Sequence, residues 1–533
     1  MADSRAYALS AATLDDAHSV VADKSGLTSA VQFTIGALRT YLGIAGVVGT
    51  ADGTSNNAAA YAALTPGLYR AARGVTLFSS ATTIPAGVVV RFPVGSYPKF
   101  ADGIVPTIHG RLQFDGMEGG PALPGGRMGW IGDSRSAAGA ASDSLAATSL
   151  WLWLGAGSDG VVVPDPRYGM AVGGTTTAAL DGQITNLLAA GTPAACGILT
   201  GTNDNDAFAG SGNSVASAVQ ISRIVSAWCR LLSWGILPIH LADLPRGAAT
   251  AYSAALKARN AGTNSGLLRL APKFGAFYYD MARIMSSAGT DGEPYPNETY
   301  DLIHPSPYGA AALMASFAGP DLKSRYPGFY GFDRDFDASA GYDATLSPAA
   351  TAQLVQNPTF KGSGGSVLFG SITGTIATGV GIWHSGTSTG TASTVARSAP
   401  LYSQMWQQLS IPAPSSGTEE YRVYVYCTPN PAPRGSRMQM AVDVNLTGAV
   451  NGSSDVLTVE AVYNPTAGRL AVVGEVPASQ GGFAGPYGGR MILPTHIVPS
   501  DATDWYVIVR YVVVAGGSTR VLQVGSPSAR VTA

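Results

Sequence analysis

Between residues 126 and 330 short apolar runs alternate with segments of helical period, and no other feature of the chain restricts its architecture as much. The runs Met128 to Ile131, Gly169 to Val172, Cys196 to Leu199, Ile236 to Leu241 and Phe277 to Asp280 read as strands. Between the third and fourth, Val215, Val219, Ser222, Val225, Cys229 and Leu232 recur every three or four residues, the stripe of a helix packed on a sheet. Alternation of this kind predicts a mostly parallel α/β sheet covered on both faces. Ligands of such sheets bind at the carboxyl edge of the strands.

The flanks have a different texture. Residues 1–125 mix short strand-like runs with turn residues, and no repeat of fixed period is visible. Residues 331–349 read as a linker. From 350 to 533 the pattern is period two, as in Val423 to Tyr426, Met440 to Val444, Val456 to Val459 and Trp505 to Val509, with turns at Asn451-Gly452 and Ala515 to Gly517. That spacing predicts an antiparallel β-sandwich.

Charged residues are 12% of the chain and the net charge is -2, so the basic excess that nucleic acid or an anionic membrane requires is missing. Cys196, Cys229 and Cys427 form no CxxC pair, which predicts buried thiols rather than a disulfide framework or a zinc site. The Met1 to Ser4 start carries no signal-peptide pattern, and no run of 18 apolar residues occurs; the expectation is a chain neither exported by a signal peptide nor inserted in a membrane.

Four blocks fall where strands end. Gly132-Asp133-Ser134 closes the first strand and turns into a helix, which presents Ser134 at the sheet edge. Asp133 and Ser134 are also ordinary helix-capping types. Gly173-Gly174-Thr175-Thr176 precedes a helix from about Thr177 to Ala190, and a glycine there lets a backbone N–H approach a ligand. Gly201-Thr202-Asn203-Asp204 brings an amide side chain to the same edge. Asp301-Leu302-Ile303-His304-Pro305 precedes a helix from Tyr308 to Phe317; a carboxylate three residues before a histidine can hold its Nδ1 and leave Nε2 free as a base.

In this order and on these elements the blocks resemble the SGNH (GDSL-type) hydrolases. The resemblance covers about 200 of the 533 residues. It implies a flavodoxin-like doubly wound sheet over 126–330, with Ser134 as nucleophile, His304 as base and Asp301 orienting it. Ser134, Gly174 and Asn203 would form the oxyanion hole, and no metal or cofactor would be needed. Arg135 departs from the apolar residue common in the family, which makes a lipid-like acyl pocket less convincing; with Tyr295 and Tyr300 it is a candidate for binding substrate.

The N-terminal region has its own resemblance. Val20 to Lys24 leading to Phe33 through Leu42, Asp52 to Ala59, and Ile84 to Tyr97 are similar to the start of bacteriophage tailspike and tail fibre proteins, Ile84 to Tyr97 to a first β-helical coil. The alternative is a β-rich cap with no viral meaning. The resemblance implies attachment to other tail proteins through 1–125, a homotrimer, a place on the virion tail outside the host cell, and an acetylated bacterial polysaccharide as substrate. Residues 1–125 would then be dispensable for catalysis. The sandwich resembles a carbohydrate-binding jelly roll in texture, and in it Trp383, Trp406, Phe483 and Tyr487 are candidate sugar-stacking platforms, though such residues are more often core or trimer contacts. Two rival readings remain: a free-standing esterase or lipase for small or plant-polymer esters, and a non-catalytic receptor-binding tail protein.

Overall fold

A computed structural model of the chain describes residues 19–22, 31–34, 44–326 and 354–531. Short gaps fall at 119–122, 124, 139–143, 147, 159, 206–214, 248–252, 287–292, 296–297, 358, 397–404, 429–432, 449–450, 454, 465–467, 474–482, 485–486 and 495. The linker expected at 331–349 lies outside the described residues.

After an antiparallel pair, β1 (Ser19–Ala22) and β2 (Val31–Thr34), the N-terminal region winds into parallel coils. Strands β3 (Ile44–Val48), β4 (Gly67–Ala71), β7 (Val88–Phe92) and β10 (Arg111–Phe114) stack as one parallel sheet. Strands β5 (Val75–Phe78) and β8 (Tyr97–Phe100) stack as a second, and β6 (Thr83–Ile84) and β9 (Thr107–Ile108) as a third. Leu68 pairs with Val89, Val89 with Arg111, Val75 with Tyr97 and Thr83 with Thr107, steps of 21, 22, 22 and 24 residues. The region is therefore a short β-helix whose repeat drifts in length. Like side chains stack between coils, Phe92 on Phe114 at 5.5 Å and Phe78 on Phe100 at 5.3 Å.

The middle of the chain forms a five-stranded parallel sheet from β11 (Gly126–Gly132), β13 (Val162–Gly169), β14 (Ala195–Leu199), β15 (Leu237–Leu241) and β16 (Phe277–Tyr279). Their spatial order is β13-β11-β14-β15-β16, so the order reverses between β11 and its neighbours. Ligands of open parallel sheets bind at such a reversal. Alternate residues divide between two cores, as strand geometry requires. Met128, Trp130, Leu199 and Ile239 face a core with α2 (Leu150–Gly157), whose side chains from Leu150 to Leu154 are buried. Ile131, Cys196 and Ile198 face the other, with α3 (Leu180–Ala190), α4 (Ser217–Ser233) and α5 (Ala254–Phe274).

Two expectations are corrected here. Gly169 to Val172 is mostly loop: the second strand is Val162–Gly169, earlier in the chain, where Pro164 and Pro166 mask its pattern. Proline is tolerated because β13 is an edge strand. The helix expected from Tyr308 to Phe317 is α6 (Pro307–Leu313) followed by a π-helical turn at Met314–Ala318.

The C-terminal region is two stacked sheets. One runs β12 (Ser144–Leu145), β26 (Gly468–Val473), β25 (Val456–Tyr463), β30 (Trp505–Val514), β22 (Thr418–Tyr426), β19 (Val380–Ser385), β17 (Ser366–Phe369). The other runs β18 (Ile372–Gly374), β20 (Gly390–Ala396), β21 (Met405–Ile411), β31 (Arg520–Val531), β23 (Arg437–Thr447), β28 (Tyr487–Ile492), with β29 (His496–Ile497) also on β23. The long central strands pair antiparallel, whereas β12, β17 and β18 join at the edges in parallel. Asn451-Gly452, expected as a turn, lies in β24 (Asn451–Ser453), paired with β27 (Phe483–Ala484). The thiols of Cys196 and Cys229 are buried, while Cys427 is only half-buried.

The β-helix shares one core with α4 and α5: Phe78, Phe100, Ile224, Trp228 and Phe274 belong to the same cluster. Phe100 meets Phe274 edge-on at 6.3 Å, Arg223 pairs with Asp102 at 2.6 Å, and Ser226 Oγ accepts the Phe100 N–H. Removal of the coils would expose the apolar flank of two helices. A chain beginning at residue 126 is expected to aggregate or to melt well below the parent in a thermal scan. Phe100→Ala should cost about 3–5 kcal/mol in urea unfolding, and coils and central sheet should unfold in one transition.

Candidate active site

Gly132, at the end of β11, has φ +131°, and a Cβ there would lie 1.9 Å from the Leu199 carbonyl oxygen. Only glycine fits this close approach of two strand ends. Gln183 from α3 clamps it in place: its Oε1 accepts the Gly132 N–H at 2.7 Å and its Nε2 donates to the Gly132 carbonyl at 2.9 Å. The chain then turns into the one-turn helix α1 (Ser134–Ala137), with Asp133 as N-cap accepting the Arg135 N–H at 3.0 Å. Ser134 emerges half-buried at the carboxyl edge of the sheet.

His304 reaches the same point from far along the chain. Its Nε2 lies 2.8 Å from Ser134 Oγ, and its Nδ1 lies 2.6 Å from Asp301 Oδ2. A carboxylate can only accept, so Nδ1 donates and Nε2 is left to accept the Ser134 hydroxyl. Asp301 Oδ1 also accepts the N–H groups of Ile303, at 3.0 Å, and of His304, at 2.7 Å. Burial pushes the Asp301 carboxyl up, but these hydrogen bonds outweigh it and hold the group below the usual carboxylate range. Asp301 therefore stays charged beside the His304 ring.

The turn that carries them is held by its carbonyls. Leu302 adopts φ +67°, a left-handed conformation rare for a side-chain-bearing residue. Its carbonyl accepts the Gly247 N–H at 2.9 Å, the Ile303 carbonyl accepts Arg135 Nε at 3.0 Å, and the His304 carbonyl accepts the Tyr300 N–H at 3.1 Å. Tyr300 stacks on the His304 ring, with centroids 5.7 Å apart. Tyr295 is 44% exposed, and no hydrogen bond or ring contact joins it to Ser134 or His304 among the described residues.

Arg135 does not face substrate. The residue is fully buried, and its guanidinium donates to Ile303 O, to Asp243 Oδ1 at 2.8 Å and to Leu244 O at 2.8 Å. Asp243 is held in turn by Asn260 Nδ2 at 3.0 Å, and Asn264 brackets its backbone. Arg135 thus ties the serine turn to the histidine turn. The position after Ser134 had stood out in the sequence as a charge where an apolar residue was expected; its burial and its partners arise only in the fold.

The two remaining blocks meet beside Ser134. Of the paired glycines, Gly173 lies against the nucleophile: a Cβ there would be 3.6 Å from Ser134 Cβ. Gly174 has φ +77° and is exposed, with nothing within 4 Å of the position a Cβ would take. Asn203 Nδ2 donates to the Thr175 carbonyl at 2.9 Å, joining the two loops. Asp204 then locks them, accepting from Thr177 N at 2.8 Å and Thr177 Oγ1 at 2.7 Å. On the other side, buried Arg246 donates to Thr202 Oγ1 and to the Thr202 carbonyl. Asp243 and Arg246 escaped the sequence analysis, which named Asp204 only as part of its block, although each follows a central strand at the edge where Ser134 stands.

Comparison with known proteins adds partial likenesses. No family model and no curated protein matches the chain. Among solved structures, a putative acylhydrolase from Bacteroides fragilis is 18% identical, with 37% of this chain and 87% of that chain covered and a TM-score of 0.28. A mutant acetyl-xylooligosaccharide esterase from Geobacillus is 14% identical, with 38% and 95% covered and a TM-score of 0.31. The enzymatically active domain of tailspike protein 4 of bacteriophage CBA120 is 12% identical, with 29% and 19% covered and a TM-score of 0.21. At these scores the likenesses carry no weight for function, and the chemistry rests on the site's own atoms.

Two measurements check the site. Arg135→Met removes the guanidinium that pairs with buried Asp243 and with the carbonyls around it, and should cost about 3–5 kcal/mol of stability. Arg135→Lys should restore little, because one ammonium cannot reach all the acceptors that the guanidinium fork spans. Glu298, which precedes the histidine turn and accepts the Tyr295 N–H at 3.2 Å, is raised by burial from 4.5 to about 7. A carboxyl raised in the folded state favours folding below its unfolded value, and that advantage is lost as pH rises through the folded one. The melting temperatures of the parent and of Glu298→Gln should therefore agree near pH 4.5, and the parent should fall progressively below the variant towards pH 8.

Proposed function

We propose that the protein is a serine esterase and that its substrate is an O-acetylated bacterial surface polysaccharide. The observation that carries the first part is the unbroken hydrogen-bond series from Ser134 Oγ through His304 to Asp301. Few structural roles require that series at a solvent-reachable sheet edge. As Ser134 Oγ attacks the acyl carbon, its proton passes to His304 Nε2, and the imidazolium formed faces the Asp301 carboxylate. The oxyanion is held by the Ser134 N–H, by an N–H of the Gly173-Gly174 turn and by the Asn203 amide. These are donors already fixed by their loops, so they stabilise charge without reorganising. His304 then gives its proton to the departing alcohol, and water repeats the sequence on the acyl-enzyme.

The acetylated polymer, the virion tail, attachment to other tail proteins and the homotrimer are the finer part of the proposal. They are supported by the tailspike-like opening and by the β-helical coils that follow it. A repeated ester on a long polymer also suits an oligomeric enzyme, because several weak sugar contacts made together become durable.

Released acetate from acetylated polysaccharide is the direct test. Ser134→Ala should abolish turnover, a fall of about 10⁶-fold in kcat. Asn203→Ala should lower kcat by about 10²- to 10³-fold, and Asp301→Asn by about 10⁴-fold. On 4-nitrophenyl acetate the acid limb of kcat/KM should follow a single ionisation, since Asp301 is already charged. Parental activity in Ser134→Ala, or an acid limb with two ionisations, would overturn the mechanism.

A further inference from the structure

The outer face of the first sandwich sheet holds a groove of about 500 Å³ that the catalytic site does not use. Strand alternation builds it. On β22 Tyr421, Val423 and Val425 are buried inward, so Glu420, Arg422, Tyr424 and Tyr426 stand outward and half-buried. The register places Tyr424 between Gly381 and Ile508, and Tyr426 beside Tyr506. Tyr506 meets Tyr424 at 5.7 Å and Tyr426 at 5.5 Å, both edge to face. Glu460 and Asn464 lie along the groove's β25 side.

Its charged groups are already partnered within the protein. Glu420 accepts from Arg422 and, at 2.9 and 3.1 Å, from Arg510, while Glu460 accepts the Thr458 hydroxyl at 2.8 Å. An ionic ligand gains little in such a place. What the groove leaves free is the surface of three half-buried tyrosine rings and the spare hydrogen-bonding capacity of neutralised polar groups around them. An uncharged sugar chain matches both, since its C–H faces pack on aromatic rings and its hydroxyls bond to the planar polar groups around them.

The sheet that bears the groove also takes in a strand from the chain that follows the serine turn. That sheet ends in β12, which begins ten residues after Ser134. Two strand spacings, about 10 Å, separate β12 from the groove's β25 wall.

We propose that this groove binds an uncharged stretch of oligosaccharide, so that the polymer is held on the sandwich while Ser134 works on its esters. The link to Ser134 rests on the esterase reading, but binding does not. The test uses full-length protein carrying Ser134→Ala, fluorescently labelled, on an array of uncharged and anionic bacterial oligosaccharides. Uncharged glycans should be bound, and adding Tyr424→Ala or Tyr506→Ala should weaken that binding about tenfold or more. Melting temperature and light scattering accompany each variant, so that unfolding and altered assembly are seen. No uncharged glycan bound above the Tyr424→Ala, Tyr506→Ala level overturns the proposal. So does a preference confined to anionic glycans, or variants that keep full binding and lose only self-association. Hydrolysis of 4-nitrophenyl acetate by the parent is read separately: its absence beside tyrosine-dependent binding would remove the esterase and leave the groove standing.

Discussion

The buried guanidinium of Arg135 is the interaction on which the site depends. It joins the turn that presents Ser134 to the carbonyl of Ile303, next to His304, across 168 residues of chain. A charge taken out of water is costly unless its donors are satisfied. Here Asp243 and the backbone carbonyls of Ile303, Leu244 and Pro245 receive it, and Asp243 is braced by Asn260 and Asn264. The same group sits between two buried carboxyls. Burial pushes Asp133 up to about 7 and Asp243 up to about 6, with Arg135 opposing the rise in both. A cation at this position lowers the cost of gathering acids under the nucleophile.

The sheet can hold such a cluster because both its faces are covered by further domains. The β-helix closes over α4 and α5, while the sandwich shares a core with α2 and receives β12 from the loop beyond Ser134. Strand ends buried this way have little freedom. The four loops at the carboxyl edge are then fastened pairwise, Gly132 by Gln183, Thr177 by Asp204, Thr202 by Arg246 and Leu302 by Gly247. Preorganisation of the Asn203 amide and the glycine turn follows from these clamps rather than from the donors themselves.

Much of this was legible in the chain. The apolar runs at Met128, Cys196 and Ile236 lie in strands because central parallel strands are apolar on both faces and leave a continuous signature, while the run at Phe277 forms the edge strand β16. The run at Val162 was misplaced because two prolines interrupt it, and only its position at the sheet edge makes them tolerable. The coils before residue 115 left a fainter trace: their steps vary from 21 to 24 residues, which hides the repeat, and β6 and β9 have two residues each.

Residue type and spacing by themselves determined the parallel sheet, the glycine at the serine turn and the local reach of Asp301 to His304, since each depends on neighbours within a few positions. Tertiary structure decided the rest. It turned Arg135 from a candidate substrate contact into a buried strut, brought Gly173 against Ser134, and set Tyr300 on the His304 ring while leaving Tyr295 apart. It also assembled Tyr424, Tyr426 and Tyr506 from two strands some 80 residues apart into one groove. Local sequence carries backbone preference and periodicity, but burial, charge pairing and the meeting of distant strands are set only when the chain closes on itself.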